Sequence, residues 1–201
     1  MAEFRLQARS PFAGLLKPGR HGARDGATGV ALSERTGLAL FVISAGAGKA
    51  SEVAAKVLAV TGLELPIGPK RASKDGFALI GTAPGQWLAV VEGRAGLSML
   101  ASLAAALKGL ATIIDQSDGK AMLRISGPRA REVLAKGCSL DLHPRVFKPG
   151  NAGTTPIALI DCVVWQVDEI PSYDLAVPTS FAESFWSWLT ASAAEYGYTV
   201  E

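Results

Sequence analysis

Residues 115–144 read Asp115-Gln-Ser-Asp-Gly-Lys-Ala-Met-Leu-Arg-Ile-Ser-Gly-Pro-Arg-Ala-Arg-Glu-Val-Leu-Ala-Lys-Gly-Cys-Ser-Leu-Asp-Leu-His-Pro144. From Ala121 to Ser126 the side chains alternate, with Leu123 and Ile125 on one face and Met122 and Arg124 on the other. A period of two residues predicts a half-buried strand. Gly127-Pro128 turns the chain, and Pro128 suits a first helical position, where its missing N–H leaves no donor unpaired. Ala130, Val133 and Leu134 then share one helical face, while Arg129, Arg131, Glu132 and Lys136 are left for water. The spacing predicts a helix over 128–136, with Gly137 as its left-handed stop. A helix of barely two turns does not persist alone, so packing must hold it.

Outward from this stretch, one order of elements occurs twice. Before it, a continuous apolar run predicts a strand over 38–44. A helix over 51–59 follows, with Val53, Val57 and Leu58 inward and Gly62 ending it. Residues 77–80 and 87–91 read as paired strands around Thr82-Ala-Pro-Gly85. Leu97, Leu100, Ala101, Ala104 and Leu107 fall in helical register over 97–107, with Gly109 beyond, and a short strand is expected at 112–114. After the stretch come strands near 157–167 and 173–177 and a helix from Phe181. Ser180 and Glu183 have the spacing of a capping box for that helix, and Phe181, Phe185, Trp186, Trp188 and Leu189 cover more than half its circumference. The expected fold is therefore α+β, a single domain over 36–201 built from two similar strand-helix-strand-strand-helix halves, 36–115 and 116–201. Residues 1–35 contain Gly19, Gly22, Gly26 and Gly29 among mixed charges. They read as a loop-rich arm, protease-sensitive until partners order it.

Composition narrows the function classes. With 201 residues, 49% hydrophobic, four tryptophans and seven phenylalanines, the chain can bury a real core. A formal net charge of +2 carries no footprint for nucleic acid, and the arginines from 124 to 131 read as a solvated helix face. No apolar run reaches the ~18 residues that cross a bilayer. The opening residues lack a hydrophobic signal core, and Cys138 and Cys162 have no metal or redox spacing. A reducing cytoplasm is the expected location, with no membrane and no nucleic-acid partner.

Motifs for chemistry are incomplete. Ser44-Ala-Gly-Ala-Gly-Lys49 lacks the first glycine of a phosphate-binding loop, Ile43 standing there, and Ala50 replaces the hydroxyl that would meet a metal. Cys138, Asp141 and His143 fall short of the ~4 ligands a zinc site wants. Asp115 and Asp118 suit a turn, with Gly119 at positive φ and an Asx-type bond from Asp118, better than a carboxylate pair. No glycine-rich dinucleotide fingerprint is present. Catalytic, cofactor and metal residues are expected to be absent from this chain.

The run from Ser126 to Pro144 resembles the signature of the gamma subunit of heterotetrameric sarcosine oxidase. The likeness continues through Arg145-Val-Phe-Lys-Pro-Gly150 and Tyr173-Asp-Leu-Ala-Val-Pro-Thr-Ser-Phe-Ala-Glu-Ser-Phe-Trp-Ser-Trp-Leu189. Ser10-Pro-Phe-Ala-Gly-Leu15 and Gly81-Thr-Ala-Pro-Gly-Gln-Trp-Leu-Ala-Val90 fit more loosely. Ser139 stands where proline is expected, and Ala176-Val-Pro-Thr179 where an aromatic residue and an arginine are expected. The resemblance implies an accessory subunit of an oxidoreductase that demethylates sarcosine to glycine. FAD, FMN, NAD, tetrahydrofolate and zinc would sit on the alpha, beta and delta subunits. It also implies a fold like the folate-binding domain of the glycine-cleavage T-protein. A stand-alone folate-binding or one-carbon-transfer module is the alternative. Against it, Gln166-Val-Asp-Glu-Ile-Pro171 replaces the Gly-Tyr-Thr-Gly-Glu-type segment expected before Tyr173.

Residues 129–147 unite the short basic helix with a loop richer in special residues than a connector needs. Arg129, Arg131 and Arg145 can each fork onto a carboxylate, Asp141 and His143 add polar contacts, and Leu142 with Phe147 offers apolar anchors. These are the candidate inter-subunit contacts. An internal lock between the two halves accounts for the same residues equally well, because Leu140 and Leu142 alternate as buried residues do.

Overall fold

The computed structural model describes residues 9–201, apart from the side chains of residues 94 and 95. In chain order the elements are β1 (Gly19–His21), β2 (Val30–Glu34), β3 (Leu38–Ala45), α1 (Ala50–Thr61), β4 (Arg71–Lys74), β5 (Phe77–Ala83), β6 (Gln86–Glu92) and α2 (Gly93–Ala106). Then follow β7 (Ala111–Asp115), β8 (Lys120–Ser126), α3 (Ala130–Ala135), β9 (Ala152–Ile157), β10 (Ile160–Asp168), β11 (Ser172–Pro178), α4 (Ala182–Ala193) and β12 (Tyr198–Val200).

The strands form two sheets, β4-β5-β6-β3-β7 and β1-β12-β2-β8-β11-β10-β9. Written as units, β3-α1-β4-β5-β6-α2-β7 repeats as β8-α3-β9-β10-β11-α4-β12, and each strand takes the same place in its sheet as its counterpart. The difference is β2, wedged between β8 and β12, with β1 added at the edge. The duplicated α+β order expected from the sequence is thus the topology of the molecule.

Alternation builds four layers. On the first sheet, Ile43, Phe77, Leu79, Trp87, Ala89 and Val91 meet α1 and α2. On the second, Leu123, Ile125, Val164, Tyr173 and Leu175 meet α3 and α4. The opposite faces meet each other: Leu40, Ile80, Leu88 and Val90 from one sheet pack on Met122, Val163, Trp165 and Ala176 from the other. β8 is therefore covered on both sides rather than half-buried. Both sheets are inner layers.

Several local expectations are corrected. Leu58 and Leu97 are about half exposed, at 48% and 50%, and α2 packs through Leu100, Leu103 and Leu107. The expected capping box is absent: Thr179–Phe181 forms a 3₁₀ turn before α4, and no side chain caps the helix. The turn is pinned instead by Thr179, whose N–H and Oγ1 donate to the carbonyls of Gly119 and Asp118. α3 begins at Ala130, so Pro128 lies in the preceding turn. Gly137 is not left-handed. Its reason is space, since a Cβ there would lie 2.6 Å from Trp188 Cζ2 on α4.

Residues 115–119 do not join neighbouring strands but carry the chain from one sheet to the other. Asp115, not Asp118, makes the Asx-type bond, accepting from Ser117 N at 2.9 Å and Ser117 Oγ at 2.6 Å, and Gly119 is outside the left-handed region. The two hydrogen bonds from Ser117 hold the exposed Asp115 carboxyl below its ordinary value.

Among the described residues before 36, two short strands interrupt the expected loop-rich arm; residues 1–8 lie outside. Val30 and Leu32 are buried in β2, and Phe12 packs against Trp186 in the core with ring centroids 6.1 Å apart. Strand partners distant in sequence define β2, and the glycine-rich composition concealed it. The longest exposed runs among these residues are 17–20 and 22–27.

The β9–β10 hairpin turns through Ala158 and Leu159, at φ 51° and 66°, and Leu159 is 98% exposed. Two consecutive positive φ values belong to a tight hairpin turn that favours glycine or asparagine. Leu159→Gly is expected to raise stability by ~0.5–1 kcal/mol, relief of the left-handed strain outweighing glycine's added unfolded-state entropy. A higher urea midpoint at unchanged slope checks this; a lower midpoint would show that the leucine side chain holds something.

Candidate functional site

The residues proposed from sequence as contacts divide into surface and core. Arg129 is exposed, ion-pairs with Glu132 at 3.1 Å and lies over the Tyr196 ring. Arg131 is partly buried over the Tyr173 ring, 6.0 Å from its centroid, and its Nε has no hydrogen-bond partner among the described residues. Asp141, His143 and Arg145 are exposed and build one turn: Asp141 Oδ1 accepts from His143 N at 2.9 Å, and His143 Nδ1 from Arg145 N at 3.2 Å. Phe147 is 6% exposed and packs 6.2 Å from Tyr173, with Leu142 buried beside it in the same core. Both apolar anchors therefore belong to the core, because the loop needs them to bind itself to the sheet. What remains at the surface is the Arg129, Asp141, His143 and Arg145 face.

Burial governs the thiols. Desolvation pushes Cys162 up to about 12 and raises Cys138, so neither is the reactive thiolate a nucleophile requires. In the 44–49 turn, Lys49 Nζ donates to the carbonyl of Gly109 at 2.8 Å, a structural tie between the start of α1 and the end of α2.

The densest polar arrangement lies between the sheets. Asp174 on β11 points into the inter-sheet layer with its side chain 7% exposed. Arg124, directly across the ladder on β8, donates Nε to Asp174 Oδ1 at 2.6 Å and Nη2 to Oδ2 at 2.8 Å. This bidentate bond is the main reason the Arg124 guanidinium is raised above its ordinary value. Arg35, just past β2, donates Nη1 to Asp174 Oδ2 at 3.1 Å and Nη2 to Glu92 Oε1 at 3.2 Å. One arginine thus ties the N-terminal segment to both sheets.

Arg71 on β4 joins the group without an anion of its own. Burial lowers its guanidinium, Asp174 partly offsets this, and Arg124 and Arg35 repel it further. Arg71 Nε is buried with no partner among the described residues. These side chains line a cavity of about 290 Å³, walled by Leu38, Phe77, Val90 and Trp165. Sequence reading missed the cluster, since its members lie on β4, β8, β11 and the residue after β2. The only local signal was Arg124 and Asp174 standing at inward-facing positions of apolar strands.

Asp174→Asn would leave the arginines without their shared anion. The expected cost is ~3–5 kcal/mol, as for one partner removed from a buried ion pair, read as a fall in unfolding free energy in urea. A loss below about 1 kcal/mol would mean that solvent already screens the group.

Known proteins place this architecture. Residues 45–195 match the model of the sarcosine oxidase, gamma subunit family. A sarcosine oxidase subunit gamma from Arthrobacter sp. is 32% identical over 189 residues, covering 94% of this chain and 91% of that one. A chain of the heterotetrameric sarcosine oxidase from Corynebacterium sp. U-96, solved in complex with pyrrole 2-carboxylate, superposes with a TM-score of 0.82. It is 30% identical, and the match covers 94% of this chain and 96% of that one. The glycine cleavage system aminomethyltransferase T of Bartonella henselae shares the fold, at TM-score 0.60 and 17% identity over 87% of this chain and 47% of that one. The chain belongs to the sarcosine oxidase gamma subunit family.

Proposed function

We propose that the chain is the accessory gamma subunit of a heterotetrameric sarcosine oxidase, assembled with alpha, beta and delta subunits. The complex would oxidatively demethylate sarcosine to glycine, with FAD, FMN, NAD, tetrahydrofolate and zinc carried by those partners, in the cytoplasm. The observation that carries this reading is the likeness in both sequence and fold along almost the whole chain. Within the 129–147 segment Asp141 and His143 accept turn hydrogen bonds, and Leu142 and Phe147 pack into the core. Among the described residues no helix is long and apolar enough to cross a membrane.

A folate module is the second reading, suggested by the shared aminomethyltransferase fold. The residues present do not fit that ligand. The inter-sheet cavity, about 290 Å³, is at the lower limit for a ligand pocket. The roomier hollow beside Trp87, about 680 Å³, has no charged side chain among its lining residues. Ser51 and Thr82 are its polar side chains besides Trp87, with no cation to meet a glutamyl carboxylate. In the 166–171 segment, Gln166 Nε2 donates to Asp168 O at 2.8 Å within the β10–β11 turn.

Co-expression with the neighbouring subunits and purification through a tag on a partner is expected to recover this chain in stoichiometric amount. The chain alone should be colourless and inactive. A fully active oxidase lacking it would sink the reading, whereas micromolar tetrahydrofolate binding by the isolated chain would promote the second one.

The exposed face of Arg129, Asp141, His143 and Arg145 is the proposed contact with a partner. Arg129→Ala, His143→Ala and Arg145→Ala, made separately, should lower complex yield while the melting temperature of the isolated chain stays within about 2 °C, as for surface substitutions. A falling melting temperature with intact assembly would assign the segment to internal locking instead.

A further inference from the structure

The charges around the inter-sheet cavity are not paired one to one. Arg35 and Arg124 hold Asp174, Arg35 also reaches the exposed Glu92, Asp168 acts on Arg124 from farther off, and Lys74 and Asp75 are exposed at the rim. Both oxygens of Asp174 are already taken, Oδ1 by Arg124 and Oδ2 by Arg124 and Arg35. Arg35 spends its other arm on Glu92. Arg71 has no ion-pair partner among the described residues, and its buried Nε donates to nothing there. A buried polar group left without a partner is an exception that needs a reason. Here the space beside it supplies one, because the cavity opens onto the same side chains.

The guanidinium of Arg71, unpaired among the described residues, defines the chemistry, and it suits a monoanion. A guanidinium presents a planar fork that matches a carboxylate through two parallel hydrogen bonds. Beside the charged groups, Leu38, Val90 and the edges of Phe77 and Trp165 form a narrow apolar strip with room for a small hydrocarbon or aromatic body.

We propose that this cavity binds a small carboxylate, its oxygens on Arg71 and its apolar body against Trp165 and Val90. The carboxylate belongs either to a free small molecule or to an acidic side chain that a partner subunit inserts. Both sources present the same chemistry to Arg71.

The test uses the full chain, alone and in the co-expressed complex, with benzoate as the probe and benzamide as its uncharged counterpart at constant ionic strength. Benzoate is expected to raise the melting temperature of the wild-type chain and to bind in calorimetry, and benzamide to do neither. Arg71→Met should weaken benzoate binding by about tenfold or more, the loss of a charge-assisted pair, while melting no lower than wild type without benzoate, since a repelled cation is gone. Arg71→Lys, which keeps the charge but not the fork, should retain the fold and bind benzoate less tightly than wild type. Benzoate binding that persists in the complex identifies a free solute as the natural occupant. Binding present in the chain and lost in the complex identifies a partner's carboxylate. Absence of any benzoate effect on the wild-type chain, or an undiminished effect in Arg71→Met, overturns the proposal.

Discussion

The packing of one sheet face against the other governs everything else in this molecule. Each sheet already presents one apolar face to its helices, so burying the second face makes both sheets inner layers. Trp165 sits in that layer opposite Leu40, Ile80 and Leu88, with the small Ala78, Ala152 and Ala176 in the same cluster. Small residues beside one large indole let the sheets approach closely there, and the cavity beside Arg71 is the space left at one side of the layer. Removing ~150–250 Å² of an indole from water contributes ~4–6 kcal/mol at the usual transfer coefficient. Either unit alone would expose this surface. The duplication and the stability of the fold are therefore one fact.

A layer so apolar admits a charge only at a cost, and Asp174 is the test of that rule. Its carboxylate is placed opposite Arg124 by strand register and reached by Arg35 from the segment after β2. The pairing uses the bidentate geometry in which such bonds are strongest. It also ties three separate parts of the chain together: the first strands, the first sheet through Glu92, and the second sheet. The backbone adds its own seam, where Arg71 N donates to Gly150 O at 2.8 Å and Ala152 N to Pro69 O at 2.9 Å, and beside it the Lys70 side chain donates Nζ to Asn151 Oδ1 at 2.7 Å. An accessory subunit gains from such locking, because a surface offered to partners has to hold its shape.

The family membership and the inter-sheet charges address different questions. Likeness to a subunit of an oxidase bears on the exposed 129–147 face. It does not explain why the half-buried Arg71 guanidinium has no anion of its own among the described residues. Within a fold shared with an aminomethyltransferase, three arginines gather around one aspartate between the sheets.

Alternation in Ala121–Ser126, the continuous apolar run from Leu38 and the helical spacing in residues 51–59 were legible because those signals are local and need only the pattern of the element. The α+β class and the repeated order followed from them. The blocks around Ser126–Pro144 carried the family likeness in residue identity alone. Tertiary structure decided the rest, wherever a residue's role depends on a neighbour far along the chain. β2 became a strand only because β8 and β12 flank it; Phe147 left the surface because Tyr173 lies beneath it. Gly137 proved to be clearance for Trp188 rather than a helix stop. The grouping of Arg35, Arg71, Arg124 and Asp174 exists only once two sheets meet, since pairing register and layer contact, not sequence proximity, set the distances between charges.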